Sequence, residues 1–149
     1  MSLNISNPKD FILDDELVTK LESAYEIISL DEGLSGTSLN IRIVDDKEMI
    51  SLNKKFRSKN SSTNVLSFRN EDISSSITRD LGDIAINYNF IRKESKEQSK
   101  NFDDHMIHML VHGIYHILGF DHEDDKMAER MEKKEIALLD KLKINNPYK

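Results

Sequence analysis

All five histidines of this chain lie between His105 and His122. Three of them fall in the run H-G-I-Y-H-I-L-G-F-D-H, which starts at His112 and has the spacing HxxxHxxGxxH. His112 and His116 stand at i and i+4, one helical turn apart, so both imidazoles reach one metal ion. Gly119 lets the backbone turn, because only glycine adopts positive φ without a Cβ penalty. The turn then carries His122 back as a third ligand. Three protein ligands leave one tetrahedral position open, which is the catalytic arrangement; a structural zinc normally has four. The zinc-peptidase pattern H-E-x-x-H places its general base directly after the first histidine. Here that position is Gly113, which cannot take a proton. A glycine inside a helix also costs about 1 kcal/mol against alanine, so close packing or room for a bulky substrate must favour it. A metal still polarises a phosphoryl oxygen as a Lewis acid, and a phosphodiester depends on stabilising transition-state charge. The glycine therefore weakens the peptidase reading and leaves phosphodiester hydrolysis open. An amide hydrolase with a base from Asp121 or Asp83 is the alternative.

These residues need a helix to carry them. "FDDHMIHMLVHGIYHIL" reads as one, capped by Asp103 or Asp104 and stopped at Gly119. At about 100° per residue, His105, His108, His112 and His116 share a stripe roughly 80° wide. Met106, Ile107, Leu110, Ile114, Ile117 and Leu118 cover the other side. His105 lies about 10 Å along the axis from His112, too far for the same ion. His105 and His108 either line a cleft or bind phosphates beside the metal, or they support the ligands from behind or simply meet solvent as polar residues.

The supporting elements are legible by periodicity. Leu3 and Ile5 alternate as a short strand. Leu17, Leu21, Ala24, Ile27 and Ile28 have helical spacing, with Asp14 as N-cap and Gly33 past the end. "SLNIRIV" alternates as a strand, and Met49, Leu52 and Phe56 return to helical spacing. "RSKNSSTN" is a polar loop, and "VLSF" and "GDIAINY" are strands joined by the Ser-rich "RNEDISSSITRD". "KMAERMEKKEIALLDKL" is a last amphipathic helix, with Met127, Met131 and Leu138 facing the core. Its "EDDKMAERMEKKE" portion reads as a salt-bridged outer face. Helices and strands mix without strict βαβ repetition, which predicts an α+β fold: a small mixed sheet packed with helices.

The bulk numbers bound the chemistry. A chain of 149 residues suits one domain, spanning 1–149, with one core. It has no cysteine, which excludes disulfides and thiolate metal sites. No apolar run approaches the ~18 residues of a membrane span, and no signal peptide is evident, so the expected compartment is the cytoplasm. The net charge of −6 argues against indiscriminate nucleic-acid binding. The charge is uneven, however. Arg42 to Arg69 holds seven Lys/Arg against three Asp/Glu, whereas Asp10 to Glu32 holds eight acids and one lysine. A basic face on an acidic protein is compatible with that distribution.

The histidine run resembles the signature of the YbeY family, bacterial rRNA maturation factors described as zinc-dependent endoribonucleases. The likeness extends upstream to "FRSKNSSTNVLSF" and "LGDIAI", in the family's order, and downstream to "HEDD". It covers most of the chain from about Leu39 onward. The resemblance implies one zinc per chain at His112, His116 and His122, and an Arg57 that works with the metal on RNA. It also implies cleavage of single-stranded rRNA regions near the small-subunit 3′ end, with ribosome quality control and contacts to the small subunit and its proteins. The family loop usually reads K-D-x-P-T-D before V-L-S-F-P. Here Asn60, Ser62, Asn64 and Arg69 replace its two acids and two prolines, which predicts a looser, more basic loop.

Arg57 ends a predicted helix and is either a surface arginine suited to a helix C-terminus or a bidentate phosphate contact; the resemblance favours the second. Lys54, Lys55 and Lys59 extend a phosphate track or simply meet solvent. Asp121 either orients a ligand or forms a turn, Asp83 is explained by turn chemistry, and Phe68 reads as core. The expected function is a zinc-dependent, single-strand-specific endoribonuclease of rRNA. The alternatives are a zinc peptidase or amidase with a substitute base, and a ribosome-associated binding factor whose metal secures the fold.

Overall fold

The computed structural model describes residues 2–8, 10–71 and 79–149. Among the described residues four strands form one sheet: β1 (Ser2–Ser6), β2 (Ser38–Val44), β3 (Val65–Arg69) and β4 (Asp80–Asn87). Five helices surround it among the described residues: α1 (Asp15–Glu32), α2 (Asp46–Arg57), α3 (Tyr88–Glu97), α4 (Phe102–Ile117) and α5 (Asp125–Lys141). The strand order is β1-β2-β4-β3. The first three are parallel and β3 runs antiparallel to β4. This is the small mixed α+β sheet that the periodicity predicted. Of the Ser-rich connection between β3 and β4, residues 72–78 lie outside the described residues.

Alternation divides the sheet into two faces. Leu39, Ile41 and Ile43 of β2 and Ile84 and Ile86 of β4 join the main core with α1, α4 and α5. On the opposite face, Val44, Leu66 and Ala85 meet Met49 of α2, backed by Leu52 and Phe68. Helix α4 is the centre of the molecule. It touches β3, β4, α1, α3 and α5, and every residue from His105 to Val111 is buried. A helix apolar nearly all round belongs inside, and this one carries its histidines inward with it.

Helix ends follow local chemistry. Asp14 caps α1 by accepting from the Leu17 N–H at 2.8 Å, and Gly33, left-handed at φ 68°, ends it, both as the sequence predicts. The cap of α4 differs from the sequence expectation of Asp103 or Asp104. Asn101 has the extended backbone, and its side chain accepts from the Asp104 N–H at 3.1 Å. Asp103 and Asp104 sit one step inside, in the first turn, where the helix dipole favours acids.

Candidate metal centre

Helix α4 delivers His112 and His116 from adjacent turns, and the chain leaves the helix at Leu118. Gly119 follows at φ 103°, a conformation that side-chain-bearing residues rarely adopt. The Gly119 and Phe120 N–H groups close the turn on His116 O and Tyr115 O, both at 3.0 Å. His122 thereby returns over the end of α4. One ring nitrogen from each of His112, His116 and His122 lies within 4.8 Å of the others. The Nε2 atoms of His112 and His116 are 3.1 Å apart. A tetrahedral zinc with bonds of about 2.0–2.1 Å separates its nitrogens by about 3.3 Å, so the donor set fits a small divalent ion.

The protonation pattern agrees. Burial, then the neighbouring His112 and His122, lower the pKa of His116 to about 4, so at neutral pH this ring is uncharged and its lone pair is free for a metal. His112 offers Nδ1 to the carboxylate of Glu135 at 3.1 Å. An ionised carboxylate only accepts, so the proton sits on Nδ1 and the His112 lone pair sits on Nε2, facing His116.

Gly113 is explained by packing. A Cβ there would come within 3.0 Å of both Ile84 Cδ1 and Ser67 Oγ, and Ser67 Oγ donates to the Gly113 carbonyl at 3.1 Å. The glycine lets α4 lie directly on strands β3 and β4. Of the two reasons weighed from sequence, room for a bulky substrate is therefore the wrong one: the space is filled by the sheet.

The three histidines line a cleft of about 1030 Å³ that also takes in Arg57, Lys59, Ser67, Phe68 and Arg69. The cleft runs along β3, an edge strand. Arg57 ends α2 and reaches back across β3. Its Nη2 donates to Ser67 O at 2.9 Å, and its guanidinium lies 5.2 Å from the centre of the Phe68 ring. Phe68 is accordingly both a cleft wall and a half-buried partner of the smaller core cluster. Lys54 and Lys55 are exposed and do not line this cleft.

Other sequence candidates fall elsewhere. His105 and His108 are buried at 4% and 5% exposure. His105 Nε2 meets Glu94 Oε1 at 3.0 Å, and His108 Nε2 meets Glu135 Oε1 at 2.9 Å. Neither lines the cleft. Burial lowers the pKa of His105, against the opposing hydrogen bond of Glu94. The Asp121 carboxylate accepts from the Glu123 N–H at 2.9 Å, which is turn formation. Asp83 lies mid-strand, exposed, on the sheet face away from α4. Neither acid lines the cleft.

The loop between α2 and β3 is more tightly held than its composition predicts. Ser62 Oγ donates to Asp46 at 2.8 Å and accepts from Asn87 Nδ2 at 2.9 Å. Asn64 Nδ2 donates to Glu94 at 3.1 Å, and Asn53 Nδ2 donates to Ser61 O at 2.9 Å. Arg69 is exposed on the cleft rim, so the basic character of the loop region stands.

Glu135 is the residue that sequence reasoning missed. Its run, "EDDKMAERMEKKE", reads as a salt-bridged outer face, yet its exposure is 0%. Its two-sided environment is distinctive: burial pushes its pKa up, and the hydrogen bonds of His108 and His112 outweigh that and hold it at about 2. The signal was present in the spacing, since Glu135 follows Met131 by four and precedes Leu138 by three, on the apolar stripe of α5. Tyr148, beyond the last helix, completes the group by donating to both Glu135 oxygens at 3.1 Å.

Known proteins resemble this chain over nearly its whole length. Residues 4–143 match the family model described as Endoribonuclease YbeY. A protein of Francisella philomiragia named Endoribonuclease YbeY is 38% identical, over 99% of this chain and 95% of its own. One of the same name from Alteromonas mediterranea is 41% identical, over 99% of this chain and 87% of its own. A Thermotoga maritima protein solved in solution shares the fold, with a TM-score of 0.60 and 24% identity over 96% of this chain and 92% of that one. A three-histidine cluster on a sheet-packed helix, within a match that spans nearly every element, means that this chain belongs to the Endoribonuclease YbeY family.

Proposed function

We propose that this protein is a zinc-dependent endoribonuclease that cuts single-stranded regions of ribosomal RNA, with residues 1–149 acting as one catalytic domain. One observation carries the reading. The metal-holding triad and Arg57 line the same open cleft, in a chain whose relatives are named endoribonucleases. His112, His116 and His122 would hold the ion, and a zinc there supplies Lewis acidity toward a phosphoryl oxygen. Arg57 brings a planar, permanently charged group suited to bidentate phosphate contact. Its stack on Phe68 and its bond to Ser67 O fix the guanidinium before substrate arrives. Lys59 and Arg69 extend positive charge along the cleft, where a flexible strand fits better than a duplex. Maturation of the small-subunit rRNA 3′ end, contact with that subunit and its proteins, and a cytoplasmic site of action complete the reading. Among the described residues no helix is long and apolar enough to cross a membrane.

The peptidase alternative is disfavoured by the packing at Gly113 and by the positions of Asp121 and Asp83. The test is cleavage of a fluorescent single-stranded RNA by zinc-loaded protein. Activity lost in His116→Ala and on chelation, with the fold retained, is the expected result. Equal cleavage by His116→Ala would overturn the metal reading, and cleavage of casein with no RNA turnover would restore the peptidase.

A further inference from the structure

The buried group around Glu135 belongs to no part of the triad-and-arginine reading, yet it touches the triad. Oε1 of Glu135 faces His108 Nε2 at 2.9 Å, His112 Nδ1 at 3.1 Å and the Tyr148 hydroxyl at 3.1 Å. The carboxylate is fully buried. A buried carboxylate survives only where hydrogen bonds replace its water, and here three donors from α4 and the C-terminal segment do so. Opposite consequences follow for the two histidines. His108 gives its Nε2 proton to Glu135, and its buried Nδ1 has no hydrogen-bond partner among the described residues. His112 gives its Nδ1 proton, which leaves Nε2 bare and aimed at His116 Nε2, 3.1 Å away.

We propose that Glu135 is the positioning residue of the metal centre: it fixes His112 as the Nδ1–H tautomer, holds its ring in register with His116, and supplies a buried negative charge behind a three-imidazole site. A divalent ion on three neutral ligands brings a charge of +2 into the site, and the carboxylate offsets one unit of it. Such carboxylate–histidine pairs raise ligand basicity, and their loss costs about 10–100-fold in metal affinity. Tyr148 and His108 act through Glu135, keeping the carboxylate oriented rather than touching the metal. Glutamine would keep an acceptor oxygen but not the negative charge, and the nitrogen standing in for Oε2 would turn N–H groups toward the Tyr148 hydroxyl.

This inference rests on reading the histidines as a metal site, and the experiment separates the two. Zinc dissociation constants are measured by chelator competition for wild type and Glu135→Gln. Histidine tautomers are read from long-range 1H–15N spectra of the metal-free wild type near pH 7.5. The expected result is a Kd raised about 10–100-fold in Glu135→Gln with an unchanged circular dichroism spectrum, and His112 as Nδ1–H while His108 is Nε2–H. Equal zinc affinity in the two chains overturns the role of Glu135 and leaves the metal site standing. Absence of zinc binding by wild type overturns the metal site itself. If Glu135→Gln does not fold, the wild-type spectrum decides, because His112 found as Nε2–H overturns the proposal.

Discussion

At Gly113 the chain has no side chain where the H-E-x-x-H pattern of zinc peptidases carries its general base. The absence is enforced by contact rather than by chemistry, since Ile84 and Ser67 occupy the space a Cβ would enter. Gly113→Glu should therefore create no peptidase. It should lower stability by about 1–3 kcal/mol through overpacking, with a further loss for the buried charge, read as a lower urea midpoint. Arg57 makes the opposite kind of contribution. It is exposed, and its contacts among the described residues include the Phe68 ring and the carbonyls of Ser67 and Phe56, so Arg57→Ala should leave the fold and zinc content unchanged. RNA cleavage should fall about 10²–10³-fold, the usual loss for one transition-state donor. Arg57→Lys should recover only part of it, because an ammonium lacks the planar fork; single-turnover rates distinguish these outcomes.

Elements hold the cleft open through polar tethers. The loop before β3 is tied to α2 through Asp46, to α3 through Glu94, and to the end of β4 through Asn87. Asn64 is suited to its place because Glu94 also receives His105, and an amide can donate to that carboxylate where an acid cannot. Asn64→Asp should set two carboxylates against each other and destabilise by about 1–3 kcal/mol. The loss should shrink as pH approaches 4 and one of them protonates, which thermal melts at pH 4.5 and 7.5 would show. At the end of α4, Gly119→Ala at φ 103° should cost about 1 kcal/mol or more and weaken zinc binding by loosening His122. Zinc titration followed by melting temperature checks both.

At the scale of the whole molecule, folding and metal binding share one core helix. Zinc at a hundredfold excess over its Kd should add about 2.7 kcal/mol to the unfolding free energy, and chelation should remove it. The metal-free chain should lose stability in acid. His105 and His116 both have folded pKa values below 6.5, so the unfolded chain binds more protons as pH falls below 6.5, and stability rises with pH through that window. Glu135, lowered to about 2, contributes stability that is present above about 4.5 and is lost as pH falls toward 2. Urea midpoints from pH 4 to 8 should therefore climb toward neutrality, and His105→Gln should flatten part of the slope.

The sequence by itself determined most of the elements (α3 excepted), the α+β class and the three-histidine cluster, because these rest on short-range rules. Imidazoles at i and i+4 share a helix face, alternating Leu39, Ile41 and Ile43 make a strand, and a glycine permits the turn that returns His122. The resemblance of motifs then singled out Arg57. Only the tertiary structure decided what lies between elements. It put His105 and His108 into the core, where burial needs carboxylate partners from α3 and α5, and it left Asp121 and Asp83 off the cleft lining. It also turned Glu135 from a surface charge into a buried anchor, through hydrogen bonds to residues 23 and 27 positions away. No local pattern specifies such partners. Their cost and their stabilisation both arise from desolvation, which exists only once the layers have closed.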